Sequence, residues 1–234
     1  MHEEKVKTGI PGLDEILHGG IPTNQIILIS GTTGTGKTTL CSQFCYNGAK
    51  DYNENCVFLS LEEPANFIRS HSKLFGWDFE ELEKNNKVAI IKYDPYRVED
   101  IFDILDSKIR EIKAKRVVVD SVSALGIHVR DKAELRNMIF NLSTVLRKLK
   151  CTTLLVSEIV PGKPGISRYG VEEFVVDGVI VMYYERIQSS FNRAIQVWKL
   201  RGSSHSEKLH PYTITSNGIE VSANEEAIVK RGFL

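Results

Sequence analysis

The sequence predicts an α/β fold in which a mostly parallel central sheet is flanked by helices and followed by an antiparallel C-terminal extension. Three observations lead to this prediction. Short continuous apolar runs recur along the chain, helical patterns separate the earlier runs, and the runs after about residue 178 are joined only by short turns. Continuous apolar runs are typical of strands covered on both faces, whereas short turns between strands favour antiparallel pairing.

The strands predicted for the parallel part are rich in valine, isoleucine and leucine and do not alternate with polar residues. They span residues 25–30, 56–61, 88–93, 116–120, 152–157 and 178–183. Helices are predicted between the earlier strands, because apolar residues there recur three and four positions apart. These helices span residues 37–50, 64–75, 98–114 and 133–149.

The C-terminal part is predicted to continue the same sheet. Its strands span residues 178–184, 194–200, 212–215 and 218–221, and Asn217-Gly218 is a strong hairpin signal between the last two. No repeat, low-complexity segment or linker divides the sequence. We therefore expect residues 1–234 to form one domain.

A phosphate-binding loop is predicted directly after the first of these strands. Residues 31–38, Gly-Thr-Thr-Gly-Thr-Gly-Lys-Thr, fit G-x-x-x-x-G-K-[ST] at every fixed position, between a strand and a helix. Glycines let backbone N–H groups converge on phosphate oxygens, while Lys37 reaches the β- and γ-phosphates and the Thr38 hydroxyl ligates Mg²⁺. The predicted ligands are therefore ATP and Mg²⁺, held by Thr33, Gly34, Thr35, Gly36, Lys37, Thr38 and Thr39.

Polar residues at the ends of three other strands are candidates to complete this site. Asp120 ends an apolar strand, as a Walker B aspartate does, and can hold Mg²⁺ opposite Thr38, although turns and caps also favour aspartate there. Glu62 and Glu63 can orient and deprotonate water, and Glu63 is a further metal candidate. From spacing alone, an equally good interpretation is that Glu62 and Glu63 have no catalytic role and lie in the first turn of the next helix, where acidic residues are favoured. Ser157 is a candidate sensor of the γ-phosphate.

With these residues in place, the sequence resembles the KaiC family of the RecA/RadA P-loop superfamily. The resemblance rests on residues 8–14 (TGIPGLD), the phosphate loop, 61–64 (LEEP), 119–121 (VDS), 167–174 (SRYGVEEF) and 199–205 (KLRGSSH). It implies a RecA-like fold and a slow, Mg²⁺-dependent ATPase that couples hydrolysis to assembly or partner binding. It favours Glu62 and Glu63 as catalytic residues.

The resemblance also implies a homo-oligomeric ring, usually a hexamer, with ATP between neighbouring subunits. Lys199 and Arg201 would then approach the γ-phosphate of the adjacent subunit as an arginine finger does, and Leu200, Ser203 and His205 would line the nucleotide. The alternative for Lys199 and Arg201 is a pair of charges on a solvated edge strand.

The charge balance, the length of the apolar stretches and the cysteine spacing exclude some classes of function. The 30 basic and 30 acidic residues cancel, no apolar stretch is long enough to span a membrane, and the four cysteines lack metal-site spacing, so we expect a cytosolic protein without a membrane partner.

Two alternative functions remain open. One alternative is a nucleotide-gated RecA/RadA paralogue with weak ATPase activity that binds single-stranded DNA or a recombinase. Its candidate loops are 125–134, with His128, Arg130 and Lys132, and 160–169, with Lys163 and Arg168. The other is an autokinase.

Overall fold

The computed structural model describes residues 4–94, 100–127, 129, 131–187 and 190–227. The strands are β1 (Lys5–Val6), β2 (Ile21–Pro22), β3 (Ile26–Gly31), β4 (Cys56–Ser60), β5 (Val88–Lys92), β6 (Arg116–Asp120), β7 (Thr152–Glu158), β8 (Gly178–Ile187), β9 (Ser190–Leu200), β10 (Leu209–Thr215) and β11 (Gly218–Val221). The helices are α1 (Leu13–Ile16), α2 (Lys37–Asp51), α3 (Ala65–Lys73), α4 (Phe79–Lys84), α5 (Ile101–Ile112), α6 (Lys132–Lys148) and α7 (Glu172–Val175), with a 3₁₀ helix at Val122–Ile127.

The main sheet has nine strands in the order β11-β10-β9-β8-β3-β7-β6-β4-β5. Neighbours from β8 to β5 pair in parallel, and the remaining pairs, from β8 to β11, are antiparallel. The predicted fold class, with its antiparallel C-terminal extension, is therefore confirmed. Within the described residues, no helix combines the length and apolarity needed to cross a bilayer.

Burial of β3 explains why its sequence is apolar throughout. Every residue of β3 is buried, because β7 and β8 flank it in the sheet and apolar layers cover both of its faces. One layer includes Phe44 of α2, and the other includes Leu105 of α5 and Leu142 of α6. Since β3, β4, β6 and β7 run in parallel, their carboxyl ends meet at one edge of the sheet, where such sheets bind ligands.

Several predicted boundaries were wrong. Strand β8 ends at Ile187, whereas its predicted end is residue 184, and strand β9 begins at Ser190, whereas its predicted start is residue 194. The extension is supported by the Tyr184 and Phe191 rings, which stack with centroids 4.8 Å apart. Helix α4 was not predicted, although Asp78 caps it by accepting the Glu81 N–H at 3.1 Å. The start of the predicted helix 98–114 lies outside the described residues.

Candidate nucleotide site

The glycine-rich loop connects the buried strand β3 to helix α2. Gly34 and Gly36 have φ angles of 85° and 88°, in the left-handed region that glycine adopts without strain. Gly36 is the N-cap of α2, and no side chain caps this helix. The first N–H groups of the helix therefore have no side-chain acceptor, as an anion-binding helix N-terminus requires.

Contacts from distant strands hold the loop in this shape. The buried Thr35 hydroxyl donates to the Thr32 carbonyl at 2.9 Å, and the Tyr212 hydroxyl on β10 donates to the Thr35 carbonyl. The Arg193 guanidinium on β9 donates to the Gly34 carbonyl at 3.3 Å. No local motif marks Tyr212 or Arg193, so sequence reasoning missed both. Thr35, predicted as a ligand residue, contributes its side chain to the loop's own structure.

Lys37 places a cation at the end of β3. Its ammonium donates to the Gly31 carbonyl at 2.8 Å and to the Thr32 carbonyl at 2.9 Å. Burial lowers the pKa of Lys37, and the negative charge of Asp120 opposes this shift. The lysine is therefore held against the loop backbone and faces the acidic residues at the neighbouring strand ends.

Asp120 and Thr38 meet at the sheet edge as the motifs predicted. The Thr38 Oγ1 donates to Asp120 Oδ2 at 2.6 Å, although the residues are 82 positions apart. Burial raises the pKa of Asp120 to about 6, the hydrogen bond from Thr38 lowers it, and the charges of Glu62 and Glu63 raise it further. This hydroxyl and the carboxylates form an all-oxygen donor set, which is the chemistry that Mg²⁺ prefers.

Glu62 and Glu63 are exposed and precede helix α3, which begins at Ala65 and has no acidic residue in its first turn. The alternative of a helix-decorating pair is thus contradicted. Ser121 Oγ donates to Glu62 Oε1 at 2.9 Å, so this carboxylate is oriented beside Asp120. The Ser60 hydroxyl donates to the backbone carbonyl of Glu63 at 2.6 Å, and not to the Glu63 carboxylate.

Ser157 lies in a buried network beneath the site. Its hydroxyl is fully buried and donates to Glu172 Oε1 at 3.0 Å, while Ser167 Oγ donates to Glu172 Oε2 at 2.8 Å. The Arg168 N–H donates to Ser157 Oγ at 3.2 Å. Ser157 therefore anchors the segment after β7, and a sensor role for it stays a prediction.

Residues 199–205 lie at the opposite end of the sheet from the phosphate loop. Leu200 pairs with Gly178, which pairs with Ile27 at the start of β3, whereas Met182 pairs with Gly31 at its end. Four residues of strand separate these levels, about 13 Å at 3.3 Å per residue. The segment therefore cannot approach the phosphate loop of its own chain.

The side chains of this segment differ in how they are held. Lys199 Nζ donates to the carbonyls of Glu173 at 2.8 Å and Val176 at 2.7 Å, and burial lowers its pKa. Leu200 is buried and Arg201 is exposed. Ser203 Oγ accepts from Lys5 Nζ at 2.7 Å, and the half-buried His205 lies 2.9 Å from the Ser206 carbonyl through Nδ1.

The DNA-binding alternative depends on loops that are only partly described. His128 and Arg130 lie outside the described residues. Arg168 forms an ion pair with Glu158, and Lys163 lies in the exposed stretch 161–165 after β7.

Comparison with known proteins identifies the family. The family model of the KaiC ATPase matches residues 6–226. UPF0273 protein MJ1359 of Methanocaldococcus jannaschii is 43% identical, over 93% of this chain and 96% of the relative. The circadian clock oscillator protein KaiC of Parathermosynechococcus lividus is 38% identical, over 93% of this chain but 42% of its own length.

A solved structure gives the same result. The KaiC-like protein PH0186 from Pyrococcus horikoshii superimposes with a TM-score of 0.86 at 40% identity, over 93% of this chain and 98% of that one. The sequence match, the fold and the glycine-rich loop agree, and the chain belongs to the KaiC ATPase family.

Proposed function

We propose that this protein is a Mg²⁺-dependent ATPase that acts as a ring, with each ATP bound between two copies. The observation that carries the proposal is the meeting of Thr38 and Asp120 at 2.6 Å beside the phosphate loop. Lys37 lies on the same loop, and Ser121 orients Glu62 next to Asp120. At this sheet edge, Lys37 would supply a cation for phosphate, Thr38 and Asp120 would supply oxygens for a divalent metal, and Glu62 would supply a carboxylate for water.

In the proposed mechanism, the backbone N–H groups at the start of α2 and the Lys37 ammonium bind the β- and γ-phosphates. Thr38 Oγ1 and Asp120 would hold Mg²⁺, and Glu63 is a further candidate ligand. The metal, when bound, would neutralise charge that develops on the phosphates. Glu62, and Glu63 with it, would orient a water molecule in line with the γ-phosphorus and accept its proton.

The position of residues 199–205 supports a site shared between copies. They lie about four strand residues from the level of the phosphate loop, at the other edge of the sheet. A second copy that places this edge against the first copy's loop would bring the exposed Arg201 to the γ-phosphate. Repetition of such a head-to-tail contact gives a ring when the rotation closes. The nucleotide would then join assembly to hydrolysis.

The catalytic assignment is tested with Glu62→Gln, Glu63→Gln and the double variant. Glu62→Gln is expected to keep Mg·ATP affinity, and a loss of that affinity in Glu63→Gln would assign Glu63 to the metal. The double variant is expected to lose at least about a hundredfold in turnover, the usual contribution of a general base. Glu80→Gln, at an exposed carboxylate on α4, serves as the matched control. Normal turnover in the double variant would refute the assignment.

The shared site is tested by the mass in solution, measured by light scattering with and without Mg·ATP. The wild type is expected near six subunits with nucleotide, and Arg201→Ala is expected to weaken that particle and to reduce turnover. Arg136→Ala, at an exposed arginine on α6, is the control. A monomer under every condition would remove the trans role of Lys199 and Arg201.

Single-stranded DNA binding ranks below this proposal, because Arg168 is already neutralised by Glu158. Salt-sensitive binding of single-stranded DNA to the purified protein, together with turnover that DNA alone elicits, would reverse the ranking. Phosphate transferred from labelled ATP to the protein itself would instead support the autokinase alternative.

A further inference from the structure

A cavity lies beside the phosphate loop, and the proposed ATPase mechanism does not use it. It has a volume of about 660 Å³ and is enclosed by the segment after β7 and the carboxyl end of β8. Its walls are mainly apolar and include Val160, Ile166, Tyr183 and Phe191. This volume lies within the range of small-molecule sites, about 300–1,000 Å³.

One carboxyl group among these walls is buried without a hydrogen-bond partner for one of its oxygens in the described part of the chain. Glu185 is only 9% exposed, and its Oε1 is closed to solvent with no hydrogen-bond partner among the described residues. It lines both this cavity and an adjoining one of about 600 Å³. Burial raises the pKa of Glu185, and no charged neighbour in the described part of the chain contributes to the shift.

The nearest arginine on the paired strand does not compensate this charge. Arg193 lies over the Tyr184 ring at 4.3 Å and donates to the Gly34 carbonyl. Tyr184 and Glu185 are consecutive strand residues, so their side chains point to opposite faces of the sheet. Although Arg193 and Glu185 both line the adjoining cavity, no ion pair joins them among the described residues, because the guanidinium lies against the Tyr184 ring and the phosphate loop.

A buried carboxylate is stable as an ion only when a cation or several donors reach it. The same negative charge disfavours a phosphate in this cavity, although the phosphate loop residues Thr32 and Thr33 border it. Aromatic walls, in contrast, attract organic cations through their ring faces. We propose that the cavity binds a small organic cation, an amidinium, guanidinium or ammonium group on an apolar body. Its charged end pairs with Glu185, and its body packs against Tyr183 and Ile166, which line the cavity and belong to one apolar layer.

The proposal is tested by titrating the full-length protein with benzamidine in a calorimeter. An amidinium pairs with a carboxylate through two parallel hydrogen bonds, so Glu185→Gln is expected to weaken binding at least about tenfold. Glu207→Gln, at an exposed carboxylate, is the control and is expected to bind as the wild type does. Benzamide, a neutral molecule of nearly the same shape, is expected not to bind.

Two outcomes of this titration would overturn the proposal. One is equal benzamidine affinity in the wild type and Glu185→Gln, and the other is equal affinity of the wild type for benzamide and benzamidine. Circular dichroism and retained Mg·ATP binding of Glu185→Gln separate a lost ligand from a lost fold. None of these readouts requires turnover, so the test is independent of the proposed ATPase.

A shortened chain distinguishes a free cation from a cationic segment of the protein itself. Residues 228–234 include Lys230 and Arg231, and they follow Ala227, which lines the adjoining cavity. If a chain ending at Ala227 binds benzamidine as tightly as the full-length chain, the ligand is a separate molecule, as proposed. A gain of about tenfold on removal of these residues would mean that the chain's own cations compete for Glu185, and would overturn it.

Discussion

Replacing Asp120 with asparagine is expected to raise folding stability while abolishing Mg²⁺-dependent nucleotide binding. Burial raises the pKa of Asp120 from 3.8 to about 6. The folded state therefore holds this proton more tightly than the unfolded state, and the free energy of unfolding falls as pH rises from about 4 through 6. At about 1.4 kcal/mol per pKa unit, the ionised carboxylate costs the folded protein on the order of 2–3 kcal/mol at neutral pH.

The assay is urea unfolding of the nucleotide-free protein at several pH values. Asparagine carries no charge and can still accept from Thr38, so Asp120→Asn is expected to be about 2 kcal/mol more stable than the wild type near pH 7.5. The difference is expected to shrink as pH falls towards about 4, where the wild-type carboxyl is protonated. Mg·ATP is expected to stabilise the wild type alone, because ligand stabilisation requires binding to the folded state.

Asp51→Asn provides the control, since Asp51 is exposed at the end of α2. It is expected to change neither the pH dependence nor the response to Mg·ATP. The reasoning would be refuted if Asp120→Asn were less stable than the wild type at pH 7.5, or if its advantage were the same at acidic and neutral pH. Persistent stabilisation of this variant by Mg·ATP would refute the metal role instead.

Two further predictions concern residues that support the site. Tyr212→Phe removes the hydrogen bond to the Thr35 carbonyl and is expected to raise the Kd for Mg·ATP about three- to tenfold in calorimetry, whereas Tyr183→Phe is expected to leave it unchanged. Glu172→Ala is expected to lower the free energy of unfolding by about 3 kcal/mol in urea, because the buried hydroxyls of Ser157 and Ser167 and the Val171 N–H each lose an acceptor. A similar loss in Glu207→Ala, at an exposed site, would contradict the latter.

The central strands and the phosphate loop were predictable because each is a local pattern with one physical cause. Residues 117–119 are apolar because their side chains pack into the apolar layers on both faces of the sheet, and Gly36 is required where the backbone takes φ 88° at the start of α2. The conjunction of Thr38 and Asp120 was also predictable, since carboxyl ends of parallel strands converge.

The supporting contacts were not predictable, because they join positions with no shared local pattern. Tyr212 reaches Thr35 across 177 positions, and Arg193 reaches Gly34 across 159. The length of β8 was underestimated because Glu185 interrupts its apolar run, and the buried position of that carboxylate became evident only from the fold. Ser157 gave a signal at a strand end, but its partner Glu172 belongs to a helix of four residues, too short for periodicity to reveal.

The hydrogen bonds of residues 199–205 also indicate which of Lys199 and Arg201 is the better candidate to contact the γ-phosphate of a neighbouring copy. Lys199 already donates to two carbonyls of its own chain, so an approach to another copy's phosphate would require it to give up both bonds. Arg201 is exposed and requires no such exchange. In the proposed ring, Arg201 is therefore the main charge on the neighbour's γ-phosphate, and Lys199 holds the end of β9 to the segment around α7.

Arg201→Ala should then mainly reduce turnover and leave the free energy of unfolding nearly unchanged, and Lys199→Ala should mainly reduce the free energy of unfolding. Equal loss of turnover in both variants, with unfolding unchanged, would instead assign both cations to the phosphate.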